Sequence, residues 1–307
     1  MTLDILIAIL MTVIGASTPI LIAALGELVV EKSGVLNLGI EGMMLIGAIA
    51  AFAVTLTTGN HWLGLVAAMI AATAASMIFA VLTLTLMSNQ VATGLALTIF
   101  GIGMSSLVGE AYVGKTVPVF GSIFPESLAT DPVLRLVFGH SPLVYLSLIL
   151  TVGIAWFLTN SRSGLILRAV GESDTAAHSI GYPVIRIRYM AVAFGGAMAG
   201  LAGAYFSLVL VPLWTEGLTA GRGWIALALV VFSSWKPWRL FLGAYLFGLV
   251  MTMELHSKAA GLHFVAPEFL AALPYLATVV VLAVISWRGR EKVNAPACLG
   301  KPFRETA

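Results

Sequence analysis

Charge is what this sequence has least of. Only 10% of its 307 residues are Asp, Glu, Lys or Arg, while 60% are hydrophobic. Soluble domains carry about 25% charged residues, because a water-facing surface requires them. A chain so poor in charge cannot cover a water-exposed globule, so the bilayer must solvate most of its surface. With one cysteine, Cys298, no disulfide can form within the chain. A net charge of +2 is too small to suggest a nucleic-acid partner. No Lys or Arg precedes the first apolar run, so that run is expected to remain as a span rather than to be cleaved as a signal peptide. Sustained strand-like alternation is also absent, which disfavours a membrane barrel.

What is present is a series of long apolar runs. A helix needs about 20 apolar residues to cross a ~30 Å hydrocarbon core. That measure places spans near 5–25, 35–58, 62–87, 91–109, 142–159, 189–212, 223–236, 239–255 and 269–287, the seventh short and a candidate for a broken or re-entrant helix. The expected fold is therefore all-α, a polytopic bundle of about nine (eight to ten) transmembrane helices. Positive charge gathers in 160–188, with Arg162, Arg168, Arg186 and Arg188, and in the tail 288–307, with Arg288, Arg290, Lys292, Lys301 and Arg304. Cytoplasmic segments are the ones enriched in Lys and Arg, so both are expected inside and the N-terminus outside. This divides the chain into a membrane domain, 1–287, and a cytoplasmic tail, 288–307. Tryptophans at 62, 214, 235, 238 and 287 fall at span ends, as in an interfacial belt.

One stretch, GEAYVGKT (109–116), fits the phosphate-loop pattern letter for letter. Such a loop needs a strand before it and a helix after it. Here a span-length helical run precedes it, and Pro118 and Pro125 follow, so an external loop with glycine turns is the expectation. The five histidines show no metal-ligand spacing, and no nucleophile–base or metal constellation is visible. No catalytic residue, metal or cofactor is expected.

Four segments carry more information. In EKSGVLNLGIEGMMLIGAIAAF (31–52), Asn37 and Glu41 would share a face of a helix entering near Lys32, with Glu41 about 14 Å along the axis. An intramembrane carboxylate points either to a translocation pathway or to a buried pair at a helix break, and Gly34, Gly39 and Gly42 would permit that break. SNQVATGLALTIFGIG (88–103) adds Gln90, Thr93 and Thr98, uncharged groups suited to a neutral polar solute, while Asn89 or Ser88 caps a helix start. In 168–189, Ser173 or Asp174 can cap a short helix, DTAAHSIG, that Gly181 and Pro183 end, a compact knob for docking another protein. FGGAMAGLAGAYFS (194–207) presents Gly196, Gly200, Gly203 and Ala204 as a small face for close helix packing.

EKSGVLNLGIEGMMLIGA, NQVATGLAL, SRSGLILRAVGES, GGAMAGLAGAYFS and GRGWIALALVVFSSWKPW, in this order over nearly the whole chain, resemble the permease subunits of bacterial ABC importers of the nucleoside and simple-sugar group, relatives of the ribose and branched-chain amino acid permeases. The resemblance implies a heteromeric importer in the bacterial cytoplasmic membrane: a second permease as heterodimer partner, cytoplasmic ATP-binding subunits and an extracytoplasmic substrate-binding protein. It also implies that the loop supplies a cytoplasmic coupling helix, with Gly171, Glu172, Ala176, Ala177 and Gly181 matching that motif. Asn37, Glu41 and Gln90 are the candidates for the translocation pathway. The rival reading is an ion-coupled secondary transporter of a small polar solute, acting alone; it needs in-membrane carboxylates, and Glu41 is the one placed inside a span.

Overall fold

The computed structural model describes residues 3–125, 131–259, 276 and 295–304. The expected span 269–287, the basic residues Arg288, Arg290 and Lys292, and Trp287 lie outside them. Among the described residues the chain is helical and forms no β-strand; Thr116 and Leu213 make an isolated bridge. The helices are α1 (Leu3–Lys32), α2 (Ile40–Thr58), α3 (His61–Ala80), α4 (Gln90–Gly109), α5 (Pro132–Phe138), α6 (Pro142–Asn160), α7 (Arg162–Glu172), α8 (Asp174–Ser179), α9 (Val184–Tyr205), α10 (Arg222–Phe232) and α11 (Pro237–Ala259). π-Helical turns extend α3 and α9, over Val81–Thr85 and Phe206–Leu210.

Among the described residues six helices are long and apolar enough to cross a membrane: Ile5–Lys32, Ile40–Thr58, His61–Thr85, Gln90–Tyr112, Pro142–Asn160 and Val184–Leu210. Arg222–Phe232 and Pro237–Met253 are shorter apolar helices. This is a multi-pass membrane protein. At 1.5 Å per residue the 11 residues of α10 extend about 16 Å, roughly half the hydrocarbon thickness.

The core is built by α1, α2, α3 and α9; α4 packs on α2, while α6, α10 and α11 pack on α1. With no hydrophobic drive between helices in lipid, close approach has to come from small residues. The face foreseen on α9 supplies it: Gly196 meets Ser76 and Ala72 of α3, Gly200 meets Ala68, and Gly203 lies against the Met44 carbonyl of α2. A Cβ at Gly42 would lie 2.6 Å from the Leu97 carbonyl oxygen, so α2 and α4 also cross backbone to backbone.

Helix boundaries depart from the hydropathy reading where polar groups are satisfied inside the fold. α1 continues past residue 25 to Lys32, carrying Glu27 (2% exposed) and Glu31 (0%) into the interior. Glu41 is therefore not the sole buried acid. α2 begins at Ile40 rather than near 35. Ser33 and Gly34 turn back onto α1 through bonds to the Val30 and Glu31 carbonyls, with Gly34 at φ +91°, and residues 35–37 are not helical. Asn37 and Glu41 consequently do not stack on one helix face, and Glu41 sits in the first turn of α2. Two of the expected belt tryptophans are interior: Trp214 is 0% exposed and Trp235 6%, whereas Trp62 and Trp238 are exposed. The GEAYVGKT stretch is the end of α4, a 3₁₀ turn over Glu110–Tyr112 and a glycine turn at Gly114. It follows a helix, not a strand, and its Lys115 carbonyl accepts the Trp214 N–H, while Val117 just beyond it donates to the Pro212 carbonyl.

Candidate functional site: a buried polar junction between two helix breaks

Two interruptions, 33–39 between α1 and α2 and 211–221 before α10, meet at the Glu41 carboxylate. A helix N-terminus leaves N–H groups without intrahelical partners and carries partial positive charge. At α10 two of those groups are satisfied by Glu41. Its Oε1 accepts from Thr219 Oγ1 (2.5 Å) and Gly221 N (2.8 Å), and its Oε2 accepts from Gly223 N (2.6 Å). Glu41 is 4% exposed. Gly223 is required for this approach, since a Cβ there would lie 2.6 Å from Oε2. Gly221, at φ +78°, turns the chain into the helix. The half-helix end that could hold an anionic ligand is thus occupied by the protein's own carboxylate.

The first break is held from both sides. From α1, Glu27 Oε1 accepts the Asn37 N–H at 3.3 Å. From α4, Gln90 Oε1 accepts the Leu36 N–H at 2.8 Å, and Thr98 Oγ1 donates to the Leu38 carbonyl at 3.0 Å. Asn37 Oδ1 accepts from Gly39 N (2.9 Å), closing a turn ahead of α2. Asn37 is 1% exposed and Gln90 3%. One turn beyond Glu27, Glu31 Oε2 accepts from Trp235 Nε1 at 2.5 Å. Glu31 Oε1 and Gln90 Nε2 are buried with no hydrogen-bond partner among the described residues, so the cluster keeps spare polar capacity. Asn37 and Gln90 therefore hold the first break and Glu41, two residues beyond it, holds the second; the three side chains bond different groups. Glu27 and Glu31 were missed because hydropathy counting ends a span at charge. Their spacing of four, on one face directly after an apolar run, was the available signal.

At the Lys32 end of α1, α8 is a separate knob. Ser173 caps it by accepting from Ala176 N (3.3 Å). It ends with Gly181 at φ +93°, Gly181 N–H bonding the His178 carbonyl and Tyr182 N–H the Ala177 carbonyl. This is the glycine-terminated double bond pattern that satisfies a helix's last carbonyls. Ala177 is buried, while Glu172 and Ala176 are exposed. Gly171 packs on the Lys32 carbonyl, where a side chain has no room. Asp174 is anchored to α9 by a buried ion pair with Arg188 (3.0 Å), whose guanidinium also donates to the Ser33 and Lys301 carbonyls. The tail segment 295–304 completes the anchoring: Cys298 N–H bonds the Gly171 carbonyl, Gly300 N–H bonds the Gly34 carbonyl, and Phe303 packs with Val170, Ala177 and Val184.

Comparison with known proteins matches the chain to a family. Residues 9–285 fit the profile described as branched-chain amino acid transport system / permease component. The chain belongs to that family. It is 41% identical over 297 residues to the putative glucose ABC transporter permease protein TsgC13 of Haloferax volcanii, covering 87% of this chain and 88% of that one. It is 31% identical over 303 residues to the guanosine ABC transporter permease protein NupQ of Bacillus subtilis, covering 94% and 93%. The guanosine ABC transporter permease protein NupP of the same bacterium is 26% identical over 241 residues, covering 75% and 69%. The chain is a permease subunit, a translocation component rather than an enzyme.

Proposed function

We propose that this permease is one half of the membrane channel of an ATP-driven importer for nucleosides or related sugars in the bacterial cytoplasmic membrane. The carrying observation is likeness over about nine tenths of the chain to NupQ and TsgC13, whose names give guanosine and glucose. Both are neutral, hydroxyl-rich solutes. The junction offers amide, hydroxyl and backbone groups, and both oxygens of its Glu41 carboxylate are already engaged, an arrangement that suits such a solute.

In this reading the membrane domain covers 1–287 with nine spans, the N-terminus outside and the tail 288–307 inside. Asn37, Glu41 and Gln90 belong to the translocation path as the groups that hold its two helix breaks, and spare polar atoms nearby support that role. α8 is the coupling helix: Gly171, Glu172, Ala176, Ala177 and Gly181 shape and present it to a cytoplasmic ATP-binding subunit. Its capped ends and the Asp174–Arg188 anchor suit an element that transmits force into α9. Rocking of helical bundles about the midplane then alternates access. The partner permease differs from this chain, as the pair NupP and NupQ suggests by name, and an extracytoplasmic binding protein delivers substrate.

Uptake of labelled guanosine and glucose into proteoliposomes tests the reading. Transport is expected only when this chain is reconstituted with its partner permease and ATP-binding subunits, with ATP on the ATPase side. Uptake by the chain alone, driven by an ion gradient without ATP, would overturn it.

A further inference from the structure

A second site borders the junction at Trp235 and opens on its other side, where α6, α7 and the start of α11 diverge around a cleft of about 1200 Å³. Its described lining is graded. Val152 and Ala155 of α6 form an apolar wall, and Val152 lies eight residues before the end of that span, about 12 Å inward along the axis. At the helix end the lining turns cationic: Lys32, Arg168, Lys236 and Arg239 border the cleft, with Glu172 as the lone carboxylate among the described lining. Between the two zones stand Trp156 and Trp238, 59% and 57% exposed. Tryptophan at that depth marks the boundary between headgroup and hydrocarbon.

The turn that brings two of these cations there is strained. Ser234 and Trp235 are consecutive non-glycine residues at φ +52° and +56°, a conformation L side chains avoid. It is held by Trp235 N–H to the Val230 carbonyl and by Trp235 Nε1 on the buried Glu31. Lys236 and Arg239 follow directly, both exposed.

We infer that this cleft binds an anionic glycerophospholipid, its phosphate among Lys32, Arg168, Lys236 and Arg239 and an acyl chain against Val152, Ala155 and Trp156. Basic pockets between transmembrane helices recognise such headgroups by charge. The apolar wall running into the span decides among anions: a free phosphate has no use for it, and a soluble protein cannot reach it. The site is independent of the transported solute and needs α6 to be a span.

The test uses the full-length chain in mild detergent, titrated with phosphatidylglycerol or phosphatidylcholine of identical acyl chains and read by native mass spectrometry. Phosphatidylglycerol is expected to be retained in preference. The pair Lys236→Gln/Arg239→Gln should lower that retention by about tenfold or more, since each cation near an anionic headgroup shifts binding about fivefold. Lys236→Arg/Arg239→Lys should keep it. Equal retention of the two lipids by the wild-type chain overturns the inference, as does a preference that survives the glutamine pair. Should that pair fail to fold, Lys236→Gln alone, at an exposed position, is read the same way. Millimolar inorganic phosphate that displaces the bound phosphatidylglycerol, or that stabilises the chain as well as the lipid does, assigns the site to free phosphate and also overturns it.

Discussion

Glu41 shows how one side chain can define a membrane fold. Isolated in hydrocarbon, a carboxylate is costly; here it accepts three hydrogen bonds, two of them from N–H groups at the start of α10 that would otherwise lack partners. Glu41→Gln keeps the shape but turns an amide NH₂ toward donors. It is expected to cost about 2–3 kcal/mol, the range for a hydrogen-bonded buried charge, and to lower both melting temperature and uptake. Thr219→Ala removes one of the three bonds and should cost less, about 1.5 kcal/mol, the low end for a bond to a charged group. Melting in detergent checks the order of the two; a Glu41→Gln protein as stable as wild type would show that the carboxylate does not hold α10. His140 makes a separate, pH-dependent contribution. Burial lowers its pKa below the ordinary value, opposed by the Leu136 carbonyl at 3.0 Å. The unfolded chain then takes up the proton first, so stability should fall as pH drops below about 6.5, the unfolded value, and keep falling to the folded one. His140→Gln should flatten that decline in pH-dependent melting curves.

At the scale of elements, α8 has only six residues and is too short to persist alone, so its ends and anchors determine its position. Local signals made its existence legible: a serine before it, a glycine after it, a proline beyond. Its anchoring was not legible, because Asp174 and Arg188 are 14 apart and Arg188 reads as one more topogenic charge. Arg188→Ala should cost about 3–5 kcal/mol, as expected when one partner of a buried ion pair is left alone. Asp174→Asn should cost less, since the arginine keeps its bonds to the Ser33 and Lys301 carbonyls. In proteoliposomes both variants should lower uptake per ATP hydrolysed more than substrate delivery to the complex. Equal coupling in Arg188→Ala and wild type would detach this anchor from force transmission. The tail behaves similarly. KPFRETA carries no recognisable motif, yet Phe303 closes a small apolar cluster under α8 that only the folded chain assembles.

For the whole molecule, the outer faces of α3, α4 and α6 remain greasy: Ile70, Ile99, Leu107 and Ile149 are each more than 60% exposed in the single chain. Lipid or a partner subunit must cover them. Removal of detergent without added lipid is expected to aggregate the purified protein, seen as loss of the included peak on size exclusion; a stable lone globule in buffer would contradict the membrane assignment.

The sequence by itself determined the solvent and the packing faces. Charge scarcity demanded a bilayer, hydropathy located the long helices, and the Gly196–Gly200–Gly203 spacing set how closely α9 approaches its neighbours, because these are sums or periodicities over local residues. Only the tertiary structure decided where helices stop and which polar groups are interior. Glu27, Glu31, Arg188 and Trp214 all read as boundary residues, and each is buried because a distant segment covers or bonds it. The energy of a buried charge depends on partners far away in sequence, and no local count contains them.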